Sequence, residues 1–135
     1  MATMLIVEDD PAWRGLYLME FGKQFDVFEA KDGLQALAML DWLKPDIILI
    51  DLRLPRMDGQ TFLRQLERKG AHAPVVICSG ALPEDGIPIG GAQVAPKSAD
   101  LRYVRSAVRA AIRSPFGSAA LVGDSSRPYE PEWLD

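Results

Sequence analysis

Five short apolar runs recur along the chain, at residues 4–7, 27–30, 47–50, 75–78 and, more weakly, 92–95. Each is short enough to be a strand. The third, Ile47-Ile48-Leu49-Ile50, has no polar interruption, as expected of a strand buried on both faces. Most of the intervening stretches change to helical spacing. Trp13, Leu16, Tyr17 and Phe21 fall near one helical face; so do Leu34, Leu37 and Ala38; Phe62, Leu63 and Leu66; and Leu101, Val104, Val108 and Ile112. Helix starts are marked by Asp10 before Pro11, by Asp32 and Asp58 each before a glycine, and by Ser98 before the last pattern. Such alternation predicts an α/β fold of three layers, a doubly wound parallel sheet covered by helices on both faces.

One connection departs from the pattern. Residues 80–93, GALPEDGIPIGGAQ, hold six Gly or Pro residues. Proline costs ~3 kcal/mol and glycine ~1 kcal/mol in a helix interior, so this stretch reads as a loop with at most one turn. Residues 114–135 lack periodicity and read as a flexible tail, acidic at its end and carrying Trp133. The expected organisation is therefore one domain over residues 1–113 and a tail over 114–135, a size usual for one compact unit.

The balance of charge narrows the partners. A net charge of −4 gives no basic excess for nucleic acid. The apolar run at residues 4–7 stops at Glu8, too short for a signal peptide or membrane span. Cys78 is the single cysteine, which rules out an internal disulfide. A reducing cytoplasm is the expected compartment. Cys78 falls inside an apolar run and reads as a small hydrophobe, and the lone His72 reads as a solvated loop residue.

In a sheet of this kind ligands bind at the carboxyl ends of the strands. The first run ends in Glu8-Asp9-Asp10, the third in Asp51, the fourth in Ser79 and the fifth in Pro96-Lys97. Asp10, next to Pro11, reads as a helix cap rather than a ligand. Two carboxylates about 4 Å apart repel by ~4 kcal/mol at an effective dielectric near 20. Such a rim calls for a cation or a raised pKa. Hard oxygen donors on an open edge suit Mg²⁺, which keeps several waters and takes one or two carboxylates plus phosphate oxygens. Mg²⁺, Lys97 and Ser79 would together suit a phosphoryl group held on Asp51.

Glu8-Asp9, the run Asp51-Leu52-Arg53-Leu54-Pro55-Arg56-Met57-Asp58-Gly59, Ser79-Gly80-Ala81 and Pro96-Lys97 resemble the receiver domain of bacterial two-component response regulators. Asp32-Gly33-Leu34-Gln35-Ala36-Leu37 is also similar, and the resemblance covers about residues 3–113. It implies five parallel strands in the order 2-1-3-4-5. It implies that Asp51 accepts a phosphoryl group from a sensor histidine kinase or a histidine phosphotransferase. Glu8, Asp9 and Asp51 would hold Mg²⁺ with the backbone carbonyl of Arg53, while Ser79 and Lys97 would bind the phosphoryl group. It implies an acceptor rather than a turnover enzyme, acting through a downstream protein partner; a monomer or weak dimer is expected, and the charge balance and short apolar runs give the expectation of no nucleic acid and no membrane.

Three positions depart from the family. Val94 stands where an aromatic switch residue is common, and Ser98 stands where proline usually follows the lysine. A cis bond before a residue other than proline costs ~2.5–4 kcal/mol, so the Lys97–Ser98 bond is expected to be trans. The fourth helix of the family, due between Ser79 and Lys97, is expected to be short or missing. These departures motivate an alternative, a phosphorylation-independent scaffold. A phosphohydrolase with an aspartyl nucleophile is disfavoured because Arg53 occupies the place of its usual second acid, and no phosphate-binding glycine loop is present. Arg102, Arg105, Arg109 and Arg113 recur at helical spacing and read as a solvated face, with partner docking as the sharper alternative.

Overall fold

A computed structural model describes residues 1–71, 73–80 and 92–113. Strands β1 (Ala2–Val7), β2 (Phe25–Ala30), β3 (Ile47–Ile50), β4 (Val75–Ser79) and β5 (Gln93–Pro96) form one sheet in the order β2-β1-β3-β4-β5. Every neighbouring pair is parallel. Four helices accompany it among the described residues: α1 (Pro11–Phe21), α2 (Gly33–Met39), α3 (Gly59–Arg68) and α4 (Arg102–Arg113). The place of the family's fourth helix, the tail and His72 lie outside the described residues.

Successive strand residues point to opposite faces, and the core divides accordingly. Met4, Ile6, Ile47, Leu49, Val76 and Cys78 pack under Tyr17 and Phe21 of α1 and Val104, Val108 and Ile112 of α4. Leu5, Val7, Ile48, Ile50, Val75 and Ile77 pack under Ala36 of α2 and Phe62, Leu63 and Leu66 of α3. All four residues of β3 are buried, which explains its unbroken apolar run. Burial of each such side chain contributes roughly 1.5–3 kcal/mol.

The helix starts follow their caps. Asp10 accepts from the Ala12 amide, Asp32 from the Gln35 amide and Asp58 from the Thr61 amide. Ser98 does not play that part for α4. Asp100 does, accepting from the Arg102 amide at 2.8 Å, while the Ser98 hydroxyl donates to Asp100. The short polar side chain two residues before the helix reaches its first amides; the one four residues before is separated from them by a turn.

The predicted face of α2 is rotated. Leu34 and Ala38 are exposed, whereas Gly33 and Ala36 are buried. A Cβ on Gly33 would lie 2.8 Å from the Met57 carbonyl oxygen, so the helix enters with Gly33 against the loop before α3. That close approach sets the buried stripe one residue earlier than the apolar pattern suggests. No cis peptide bond occurs among the described residues, in keeping with Ser98 after Lys97.

Candidate phosphoryl-acceptor site

The strand order reverses between β1 and β3: the chain moves outward to β2, then returns to the other side of β1. A parallel sheet opens a crevice at such a point, beyond the carboxyl ends of its strands. Glu8 and Asp9 follow β1 there, and Asp51 follows β3. The Asp51 amide donates to the Val7 carbonyl at 3.1 Å, which ties the two strand ends together. One carboxylate oxygen from each of Glu8, Asp9 and Asp51 lies within 4.8 Å of the others. Glu8 and Asp51 are buried and Asp9 is exposed, so the cluster has an inner wall and an open side.

Lys97, just past β5, enters from the opposite side. Its Nζ donates to Asp51 Oδ2 at 2.7 Å. The same ammonium is 2.7 Å from Glu8 Oε1, a close ion pair. Burial raises the Glu8 pKa more strongly than the adjacent ammonium and the Asp10 amide lower it. For Lys97, burial disfavours the charge, but hydrogen bonding and attraction to Asp51 and Glu8 prevail and its pKa is raised. The lysine is thus a firmly held cation. Asp51 Oδ1 accepts from the Arg53 amide at 3.0 Å, and Arg53 itself is exposed.

Gly59 explains why the loop after Asp51 can fold so tightly. A Cβ there would meet the Asp51 carbonyl oxygen and Leu52 Cα, each at 2.6 Å. The Gly59 amide donates to the Leu52 carbonyl at 2.9 Å, closing the loop back on the strand end. Arg56 within it has φ 68°, a left-handed conformation outside glycine, and lies 3.5 Å from Asp32.

The predicted residues therefore arrive on one rim. Glu8, Asp9, Asp51 and Lys97 converge, with Arg53 beside Asp51. Ser79 is buried at the end of β4, and its carbonyl accepts from the Lys97 amide at 3.2 Å. Val94 lies partway along β5, paired with Ile77, and packs with the α2–α3 layer. Two further residues touch the site. Arg14 of α1 donates from Nη1 to the carbonyls of Glu8 and Asp9 and lies 3.5 Å from Glu29. Trp13 places its ring centroid 5.1 Å from Lys97 Nζ. No motif marks either residue for the site.

The donor set fits a hard divalent cation. It offers carboxylate oxygens only, on an edge open to water, with Asp9 on the exposed side and the Lys97 ammonium 2.7 Å from Glu8 Oε1.

Comparison with known proteins agrees with this fold. The family described as "response regulator receiver domain" matches residues 4–109. The chain belongs to that family. Among similar receiver proteins is the chemotaxis protein CheY of Listeria monocytogenes serovar 1/2a, 35% identical over 86 residues, 62% of this chain and 71% of that protein. Another is the DNA-binding dual master transcriptional regulator RpaA of Synechocystis, 32% identical over 120 residues, 84% of this chain; the match spans half of that regulator's length. A solved structure, the receiver domain of the sensor histidine kinase PA1611 from Pseudomonas aeruginosa PAO1, is 28% identical with a TM-score of 0.57, covering 62% of this chain and 72% of that one. Its description places a magnesium ion in the active-site cleft of that receiver domain. No helix among the described residues of this receiver domain is long and apolar enough to cross a membrane.

Proposed function

We propose that this receiver domain takes a phosphoryl group onto Asp51 from the phosphohistidine of a sensor histidine kinase or histidine phosphotransferase. The observation that carries the proposal is the convergence of three carboxylates and one held ammonium at the reversal of strand order. In the transfer, the P–N bond of the donor imidazole breaks and a bond forms between phosphorus and an Asp51 carboxylate oxygen. The imidazole leaves with a proton. Little covalent chemistry falls to the protein; positioning and charge neutralisation dominate.

Glu8, Asp9 and Asp51, with the Arg53 carbonyl, are the residues that would hold Mg²⁺. When bound, Mg²⁺ neutralises phosphoryl oxygens and the carboxylates around them. Lys97 supplies a second positive charge from the opposite side and stays with the phosphoryl group. The Ser79 hydroxyl donates to a phosphoryl oxygen and shifts toward it. The acceptor is modified once per cycle and is not a turnover enzyme on a separate substrate. Its signal passes through contact with another protein, because the new group adds roughly −1.5 to −2 charge at the rim if it behaves like other protein phosphates.

Incubation with acetyl phosphate and Mg²⁺ tests the assignment. The wild type should gain one phosphate and Asp51→Ala none; equal labelling of both refutes it. Val94 favours a second reading, a scaffold that works without phosphate, since no aromatic ring stands at that place in β5 to turn inward. Beryllofluoride with Mg²⁺ separates the two: a sizeable rise in melting temperature supports the acceptor, and no rise supports the scaffold.

A further inference from the structure

Three groups surround the Lys97 ammonium. Two are the carboxylates of Asp51 and Glu8, and the third is the indole of Trp13, whose centroid is 5.1 Å from Nζ. The lysine side chain is only 14% exposed, so the ring faces a largely desolvated cation. Tryptophan is the aromatic best suited to such a contact, and the attraction grows as water is removed. The indole is itself braced. It packs against the core beside Tyr17, at 6.0 Å between ring centroids and 34° between planes. Tyr17 is fully buried, and its hydroxyl lies 3.0 Å from Cys78 Sγ, next to Ser79 at the end of β4. A tyrosine anchored on β4 therefore steadies a tryptophan that faces the lysine beyond β5.

We infer that Trp13 is a positioning residue for phosphoryl transfer, holding the Lys97 ammonium at the acceptor carboxylate by a cation–π contact. The inference rests on the acceptor reading given above. The carboxylates alone do not fix the lysine through the cycle, because Mg²⁺ and the phosphoryl group both draw on the same oxygens. The indole binds neither. It is the one of the three contacts that survives when the carboxylates are engaged elsewhere. It therefore keeps the ammonium near the rim while its ion pairs are exchanged.

The full chain with Trp13→Leu and Trp13→Phe tests this, with acetyl phosphate as donor at saturating Mg²⁺. Trp13→Leu should label about fivefold more slowly, the rate equivalent of one partly desolvated cation–π contact, and Trp13→Phe should keep most of the rate. Mg²⁺ binding should separate this role from simple damage to the site. Lys97 competes with the metal for Glu8 and Asp51, so Trp13→Leu should bind Mg²⁺ no more weakly than the wild type. In NMR spectra the Lys97 ε-methylene signals should be shielded by the ring in the wild type and in Trp13→Phe, and lose that shielding in Trp13→Leu. Unshielded signals in the wild type would overturn the inference without any variant. So would labelling of Trp13→Leu at the wild-type rate, or a parallel loss of rate and Mg²⁺ affinity. Labelling of Asp51→Asn at the wild-type rate would instead refute the acceptor reading, and the shielding would still judge the Trp13 contact.

Discussion

Lys97→Met is the sharpest perturbation of the site. It keeps a long apolar stem and removes the charge that faces Glu8 and Asp51. Both carboxylates are largely buried, with side-chain exposures of 2% and 8%. Their ligand oxygens lie within 4.8 Å. At an effective dielectric near 20, two such charges repel by at least about 3.5 kcal/mol. Measurements on buried pairs that lose one partner fall at about 3–5 kcal/mol. The two figures agree, and a loss of about 3 kcal/mol is expected in metal-free buffer at neutral pH. A cation that binds the carboxylates should then restore stability. At one hundred times its dissociation constant, Mg²⁺ contributes about 2.7 kcal/mol, nearly the whole deficit. The assay is urea unfolding of wild type and variant, each with chelator and with excess Mg²⁺, alongside a Mg²⁺ titration. The variant should be much less stable than the wild type in chelator, should recover in excess Mg²⁺ nearly to the level of the metal-free wild type, and should bind the metal more tightly. Equal stability of the two proteins in chelator would refute the reasoning, as would equal stabilisation by Mg²⁺.

Three other outcomes follow from the same structure. Gly59→Ala should cost about 1–3 kcal/mol in urea unfolding because its Cβ would collide with backbone at 2.6 Å, whereas Gly15→Ala, with nothing within 4 Å, should gain about 0.5–1 kcal/mol. The burial that raises the Glu8 pKa favours its protonated form in the fold; that contribution is complete below the ordinary value of 4.5 and is lost as pH rises through the raised one. Since Mg²⁺ needs the carboxylate, its affinity should fall on acidification at a pH above that of an ordinary glutamate, and titrations at neutral and mildly acidic pH will show whether it does. Burial also raises the Cys78 pKa, against the smaller effects of Tyr17 and Lys97, so a thiol reagent should modify it only as fast as the protein opens; rapid modification of the native protein would contradict that.

The strands and the acidic rim were legible because each depends on local order in the chain. An unbroken run such as Ile47–Ile50 can be buried on both faces, and the polar residue that follows it must emerge at the sheet edge. Asp10, Asp32 and Asp58 cap their helices for the same local reason. What escaped depends on distance in sequence. The exposed side of α2 follows from Gly33 meeting Met57, not from Leu34 and Ala38 themselves. Asp100 rather than Ser98 serves α4 because the chain makes a turn at Leu101, whose φ is 58°. Trp13 was assigned to a helical face, but the rotation of α1 that sets its ring against Lys97 is decided by Tyr17 packing on β4. Arg14 likewise reaches the Glu8 and Asp9 carbonyls only once α1 lies across the end of β1.

The alternating strand faces leave two apolar layers, one under α1 and α4, the other under α2 and α3, with the sheet between them. Side chains of one layer share few partners with those of the other, so changes made in separate layers should add in their effects on stability. The acidic rim belongs to the ends of β1 and β3, the seam where the layers meet. One outer surface can therefore be recut to fit a new protein while the other keeps its packing. Both remain attached to the same seam, so a charge placed there is felt by whichever surface the chain presents to a partner.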